Sequence, residues 1–110
     1  SNDNIFMTSE DGFILNINKS DGKVIWSKEL FNISPRKFSK NKIGKINSLI
    51  LISDQIFITT TNGYFLFLNY QNGEIINYAK VDGKGFFSKP ILVDGKIYII
   101  NGKKRILAFN

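Results

Sequence analysis

Short apolar stretches alternate with polar punctuation along the whole chain, and the punctuation is chemically uniform. Asp-Gly or Asn-Gly pairs recur at 11–12, 21–22, 62–63, 72–73, 82–83, 94–95 and 101–102. These residue types accept the positive φ angles that tight hairpin turns require. The pattern therefore predicts strands between the pairs, near 4–9, 13–18 and 23–29, then 46–53, 55–60, 64–70 and 74–80, then 88–93, 96–101 and 104–110. No segment carries a 3.6-residue apolar period long enough to predict a helix. In the stretch at 64–69, Tyr64, Leu66 and Leu68 fall on one face and Phe65, Phe67 and Asn69 on the other, so a strand buried on both sides is expected there. At 23–26 and 74–77 the pattern is weaker, with Lys23 and Ile25 opposite Val24 and Trp26, and Glu74 and Ile76 opposite Ile75 and Asn77, as expected of a wetter edge strand.

The spacing also repeats. Ile5–Trp26 lies over Ile56–Asn77 at a constant offset of 51 without gaps, with eight of 22 positions identical: Ile5/Ile56, Phe6/Phe57, Thr8/Thr59, Gly12/Gly63, Leu15/Leu66, Asn18/Asn69, Gly22/Gly73 and Ile25/Ile76. A third copy begins at an offset of 41, where Asn47–Asn69 lies over Ser88–Asn110 and matches at Ile50/Ile91, Leu51/Leu92, Ile56/Ile97, Ile58/Ile99, Leu66/Leu107 and Asn69/Asn110. The unit is thus about 41 residues long, and the first copy carries ten extra. Units of 40–45 residues with four short strands each read as β-propeller blades. The expected fold class is all-β, a partial β-propeller of about two and a half four-stranded antiparallel blades. Blade 1 is partial at 4–30, a basic loop follows at 31–45, blade 2 spans 46–81, and blade 3 is partial at 86–110. Propellers close with four to eight blades. A piece of this size is expected to come from a longer protein, and to self-associate when isolated because its end faces stay open.

The hairpin sequences resemble those of a known family. Asn16-Ile-Asn18-Lys-Ser-Asp-Gly22-Lys23-Val-Ile-Trp26 is similar to the Ala-x-Asp-x-x-Thr-Gly-Lys-x-x-Trp signature of the pyrroloquinoline-quinone-like (PQQ-like) β-propeller repeat. The second copy keeps Gly73 but has Asn77 where the tryptophan belongs, and the third reaches only Ala108-Phe109-Asn110. Ser88-Lys-Pro90-Ile-Leu-Val-Asp-Gly95-Lys-Ile-Tyr also resembles the family's opening strand. The resemblance implies that Trp26 packs between neighbouring blades and that Gly12, Gly22, Gly63 and Gly73 complete hairpins, so that these five are blade-docking structural residues. It implies one of three roles. The first is a noncatalytic scaffold in outer-membrane β-barrel assembly, with the central barrel protein of that machinery as partner and the periplasmic face of the outer membrane as its place. The others are a ligand-sensing or adhesion propeller and, last, part of a PQQ-dependent dehydrogenase.

Composition narrows the chemistry. The chain has 18 Ile and 10 Phe, residues that suit a pleated surface. It has no Cys and no His, which removes thiol nucleophiles, disulfides, thiolate metal sites and imidazole bases. No catalytic residue, cofactor or metal site is assigned. Adjacent cysteines, expected in the dehydrogenase class, are missing from this sequence. The segment Asn16–Asp21 superficially resembles a calcium loop, but the loop needs Gly at its sixth and Glu at its twelfth position, and these hold Asp21 and Ser27. Asp11, Asp21, Asp82 and Asp94 all precede Gly, where a carboxylate is expected to cap its own turn. Apolar runs such as Leu49–Ile52 fall far short of the roughly 18–20 residues that span a bilayer as a helix.

Two candidate partner-binding features are left. The surplus segment 31–45 holds Arg36, Lys37, Lys40, Lys42 and Lys45 and no acidic residue. Longer loops on a repeat scaffold are where binding resides, whereas the bland reading is a solvated loop whose lysines maintain solubility. Phe86-Phe87, just before a strand, reads either as an exposed anchor or as a packed blade edge. A net charge of +6 with 15 aromatics invites comparison with single-strand nucleic-acid binders. The comparison fails because Phe6, Phe13, Phe57, Phe65, Phe67 and Tyr98 occupy repeat-equivalent strand positions and are expected in the core.

Overall fold

The computed structural model describes residues 3–81, 90–94, 96–100 and 105–109. Ten described strands form three antiparallel sheets. The first contains β1 (Asn4–Thr8), β2 (Phe13–Asn18) and β3 (Val24–Glu29) in the order β1-β2-β3. The second has β4 (Ile46–Ile52), β5 (Gln55–Thr60), β6 (Tyr64–Asn69) and β7 (Ile75–Lys80) in the order β4-β5-β6-β7. The third has β8 (Ile91–Val93), β9 (Lys96–Ile100) and β10 (Ile106–Phe109) in the order β10-β9-β8. This is the partial propeller that the turn spacing predicts, with the ends of β1 to β7 shifted by at most one residue; the expected strands at 88–93, 96–101 and 104–110 lie partly outside the described residues.

Side-chain chemistry explains why the hairpins fall where they do. Asn18 Oδ1 accepts from the Ser20 backbone N–H at 2.8 Å, and Asp21 Oδ1 accepts from Lys23 N–H at 2.9 Å. One unit later Asn69 and Asn72 do the same for Gln71 and Glu74, at 2.8 and 2.9 Å. Two back-to-back Asx turns thus close each β2-β3-type hairpin, and the repeat keeps Asn or Asp at both positions for that reason. Asp11 departs from the expected self-capping. Backbone closes its turn, Gly12 N–H donating to Ser9 O at 3.1 Å, while its carboxylate faces Lys40. Asp94 sits at φ 51°, a left-handed conformation that Asp tolerates. Asp82 lies outside the described residues.

The core sits between the first two sheets. Ile14, Leu30, Phe38, Ile43, Ile56, Ile58, Tyr64, Leu66 and Leu68 form one buried cluster, with Phe6 and Trp26 packed against it. Register dictates which side chains reach it. Ile56 pairs with Leu68 and Ile58 with Leu66, so these four share the face turned toward the first sheet. Phe57 pairs with Phe67 and Thr59 with Phe65 on the opposite face. There the three rings cluster at centroid separations of 4.8 to 5.9 Å. The expectation of β6 as doubly buried needs correction: Tyr64, Leu66 and Leu68 are buried, whereas Phe65 and Phe67 are half-buried. Phe13, expected in the core, is 43% exposed because its face of the first sheet is open. The edge strands β3 and β7 are wet, as expected, with Val24, Ile25, Ile76 and Tyr78 exposed.

The segment 31–45 is not an irregular loop. It folds into three single-turn helices, α1 (Leu30–Ile33), α2 (Pro35–Phe38) and α3 (Lys40–Ile43), with Leu30, Phe38 and Ile43 buried. One turn is too short to show a 3.6-residue period, which is why the pattern concealed it. Its apolar residues are core, not tips of a solvated loop.

Candidate functional site

The helical insertion and the outer edge of the second sheet build one surface. α1 continues directly from β3, and the Phe31 ring lies against Gly12, where a Cβ would stand 2.7 Å from it. At its far end the insertion is tied to the β5-β6 turn. Lys45 N–H donates to Thr61 Oγ1 at 2.9 Å, Thr61 N–H donates to Lys45 O at 2.9 Å, and Asn62 Nδ2 donates to Lys42 O at 3.1 Å. The start of α3 is capped by Ser39, whose Oγ accepts from Lys42 N–H at 3.3 Å.

Between the insertion, β3 and β7 runs a cleft of about 330 Å³. Its apolar lining comes from Ile33, Phe38, Ile75 and Tyr78, and Lys28, Lys37 and Glu74 line it as well. The Phe38 ring meets Tyr78 edge to face, 4.9 Å between centroids at 84°. Lys37 Nζ stands 5.8 Å from the Tyr78 ring centroid, within reach of a cation–π interaction. β7 is an edge of its sheet, so among the described residues one side of its backbone lacks a strand partner. Apolar floor, flanking ammonium groups and a free strand edge together suit an extended polypeptide carrying apolar and acidic side chains.

The candidate basic residues distribute unevenly over this surface. Lys37 lines the cleft and Arg36 is exposed beside it. Lys42 Nζ lies 3.5 Å from the Arg36 carbonyl. Lys40 turns to Asp11 at 3.8 Å and Lys45 to Glu10 at 3.6 Å, exposed ion pairs worth at most about 1 kcal/mol each. The segment lacks acidic residues of its own, and the β1-β2 turn supplies them. Phe86 and Phe87 lie outside the described residues. Lys28, Glu74 and Tyr78 were missed by sequence reasoning, because β7 lacks a clear alternation of apolar and polar residues. Among the described residues no group of three acidic side chains is placed to hold a metal ion.

The indole of Trp26 bridges the two sheets at the base of this surface. Its Nε1 donates to the Tyr70 carbonyl at 2.8 Å, and the same oxygen accepts from Asn16 Nδ2 at 3.1 Å. Its ring lies against Gly73, whose φ is +76°. Gly12, Gly22 and Gly63 likewise have positive φ angles at their turns.

Comparison with known proteins bears out the propeller architecture and the resemblance to the PQQ-like repeat. No protein-family model matches the chain. Over 96 residues it is 29% identical to the outer membrane protein assembly factor BamB of Shewanella oneidensis, covering 86% of this chain and 22% of that protein. It therefore spans about a fifth of that relative's length. Among solved structures, BamB from Moraxella catarrhalis superposes with a TM-score of 0.73 at 19% identity, over 96% of this chain and 29% of the other. Quinohemoprotein alcohol dehydrogenase from Comamonas testosteroni superposes with a TM-score of 0.63 at 12% identity, over 88% of this chain and 15% of the other. At such identities these superpositions show the fold.

Proposed function

We propose that this chain is a noncatalytic protein-interaction scaffold in outer-membrane protein assembly, and that it receives its partner on the rim formed by the helical insertion and β7. The observation that carries the reading is the cleft: two lysines flank an apolar floor beside an unpaired strand edge, on an insertion that is pinned into the core. Likeness to an assembly factor supplies the context. The partner is the central barrel protein of the assembly machinery, met at the periplasmic face of the outer membrane. No helix of the described residues is long and apolar enough to cross a membrane.

Charge on the rim governs encounter and register more than it governs total affinity. Replacing Arg36, Lys37, Lys40 and Lys42 together by serine is expected to weaken binding to the purified, detergent-solubilised barrel protein by about tenfold, roughly 1.4 kcal/mol, with a shallower salt dependence. Titration calorimetry at two ionic strengths checks this. Unchanged affinity removes the insertion from the interface.

The exposed end faces carry a second expectation. Ile5 and Met7 on the first sheet, and Ile91 and Ile106 on the third, are about half exposed or more. Apolar surface of this kind drives association. Light scattering of the 110-residue chain over a concentration series is expected to give a discrete oligomer, and a folded monomer at all concentrations would contradict it.

A further inference from the structure

Hydrogen-bond phase along β7 shows which of its backbone groups the sheet leaves over. Val81 N–H donates to Gly63 O at 2.8 Å, and the register runs on through Tyr64–Lys80, Phe65–Ala79, Leu66–Tyr78 and Phe67–Asn77. In an antiparallel pair, hydrogen-bonded positions alternate with positions whose N–H and C=O point away from the partner strand. Ala79 and Asn77 therefore turn theirs to β6, while Tyr78 and Lys80 direct theirs outward. Among the described residues no strand covers that edge.

One of the outward donors is masked. Asn77 Oδ1 accepts from the Tyr78 N–H at 2.9 Å, so a side chain occupies a group that an incoming strand would need. The repeat-equivalent residue of the first unit is Trp26, whose indole has a donor and no acceptor and is turned to Tyr70 O. Asparagine in place of tryptophan thus sets an acceptor over the β7 edge. Alternate side chains of an added strand would fall on the Tyr78 side of the sheet, where Lys28 and Lys37 line the cleft. Neither lysine has an ion-pair partner among the described residues, so the edge suits a strand that carries acidic and apolar side chains on that face.

We infer that Asn77 is a displaceable guard on the β7 edge. The partner adds an acidic, apolar strand to Tyr78 and Lys80, and in doing so lifts the Asn77 amide off the Tyr78 N–H. This rests on the partner reading of the rim, and names its binding mode and the residue that sets its strength. A bare strand edge pairs with other chains indiscriminately. The guard keeps this one closed until a strand arrives whose side chains also satisfy the cleft.

Two substitutions on the same edge are expected to act in opposite senses. Asn77→Ala removes the competing acceptor and is expected to tighten binding to the purified, detergent-solubilised barrel protein about fivefold, the scale of one net hydrogen bond. Lys80→Pro removes an outward N–H that the sheet does not use, and is expected to weaken binding by about tenfold or more with little change in the urea midpoint. Lys80→Ala, which keeps the N–H, is expected to weaken it by less than about threefold.

Hydrogen exchange read residue by residue separates the guard from the partner. In the free chain the Tyr78 amide is expected to exchange about fivefold faster in Asn77→Ala than in wild type. With the barrel protein bound, the Tyr78 and Lys80 amides are expected to be protected in both chains. A Tyr78 amide indifferent to Asn77→Ala overturns the guard, whether or not the partner binds. Normal binding by Lys80→Pro, or no tightening in Asn77→Ala, overturns strand addition and leaves the rim reading standing. A wild-type chain that does not bind the barrel protein overturns the rim reading and the inference with it.

Discussion

Replacing Trp26 by alanine is expected to lower the unfolding free energy by about 3 kcal/mol, the usual scale for truncating a large aromatic in a packed position. For a domain of 12.5 kDa, whose total stability lies in the range of roughly 5–15 kcal/mol, that is a large fraction. Two losses add. The indole leaves a gap between Phe6, 6.2 Å away by ring centroid, and the glycine it covers in the second unit. The Tyr70 carbonyl also loses its shorter hydrogen bond. Trp26→Phe separates them, since the ring is largely kept while the donor goes. Because Asn16 Nδ2 still donates to the same oxygen, the phenylalanine variant is expected to lose only about 1 kcal/mol. Urea denaturation of the three proteins checks the order. Equal losses in both variants would mean that the hydrogen bond, not packing, joins the sheets.

The second large effect concerns Phe38, which is 4% exposed and is the residue through which α2 enters the core. Phe38→Ala is expected to cost about 3–4 kcal/mol. It also removes the edge-to-face partner of Tyr78, and with it one wall of the cleft. Binding at the rim is therefore expected to fall together with stability. Lys37→Ser, by contrast, is expected to weaken binding while leaving the unfolding free energy within about 0.5 kcal/mol of wild type, as befits an exposed side chain. Measuring both properties for both variants distinguishes a scaffold residue from a contact residue. If Phe38→Ala binds normally, the partner does not use the cleft.

The strands were legible because Gly, Asn and Asp mark turns through backbone chemistry that is local to a few residues. The pairs at 21–22 and 72–73 locate their hairpins, and the structure closes them with the neighbouring Asn18 and Asn69 side chains. Burial was legible only where it depends on alternation within a strand, as at Tyr64, Leu66 and Leu68. It failed where it depends on what stands opposite: Phe13 and Phe57 read alike as strand aromatics, yet one faces an open side and the other is 1% exposed. The insertion was hardest to read. Arg36, Lys37, Lys40 and Lys42 dominate its composition, whereas Phe38 and Ile43 determine its position. Single helical turns leave no periodic trace, and the acidic partners of Lys40 and Lys45 come from a turn some thirty residues earlier in the chain. The cleft joins three elements distant in sequence, so no local pattern announces it.

The insertion is fastened at both ends to different sheets. Phe31 rests on Gly12, and Lys40 and Lys45 face Asp11 and Glu10 of the first sheet, while Thr61 and Asn62 of the second hold its last turn. It acts as a strap across a junction otherwise held by the Trp26 indole, the Asn16–Tyr70 hydrogen bond and a layer of apolar side chains. A ligand seated on the strap grips both blades at once. Binding and blade cohesion are then thermodynamically linked, because the separated blades cannot present the cleft. At a hundredfold excess over Kd such a ligand would add about 2.7 kcal/mol to the cohesion of the joined state. The propeller would be stiffest while engaged and would loosen at this seam when released, which makes protease nicking near residues 30–45 a sensitive report of occupancy.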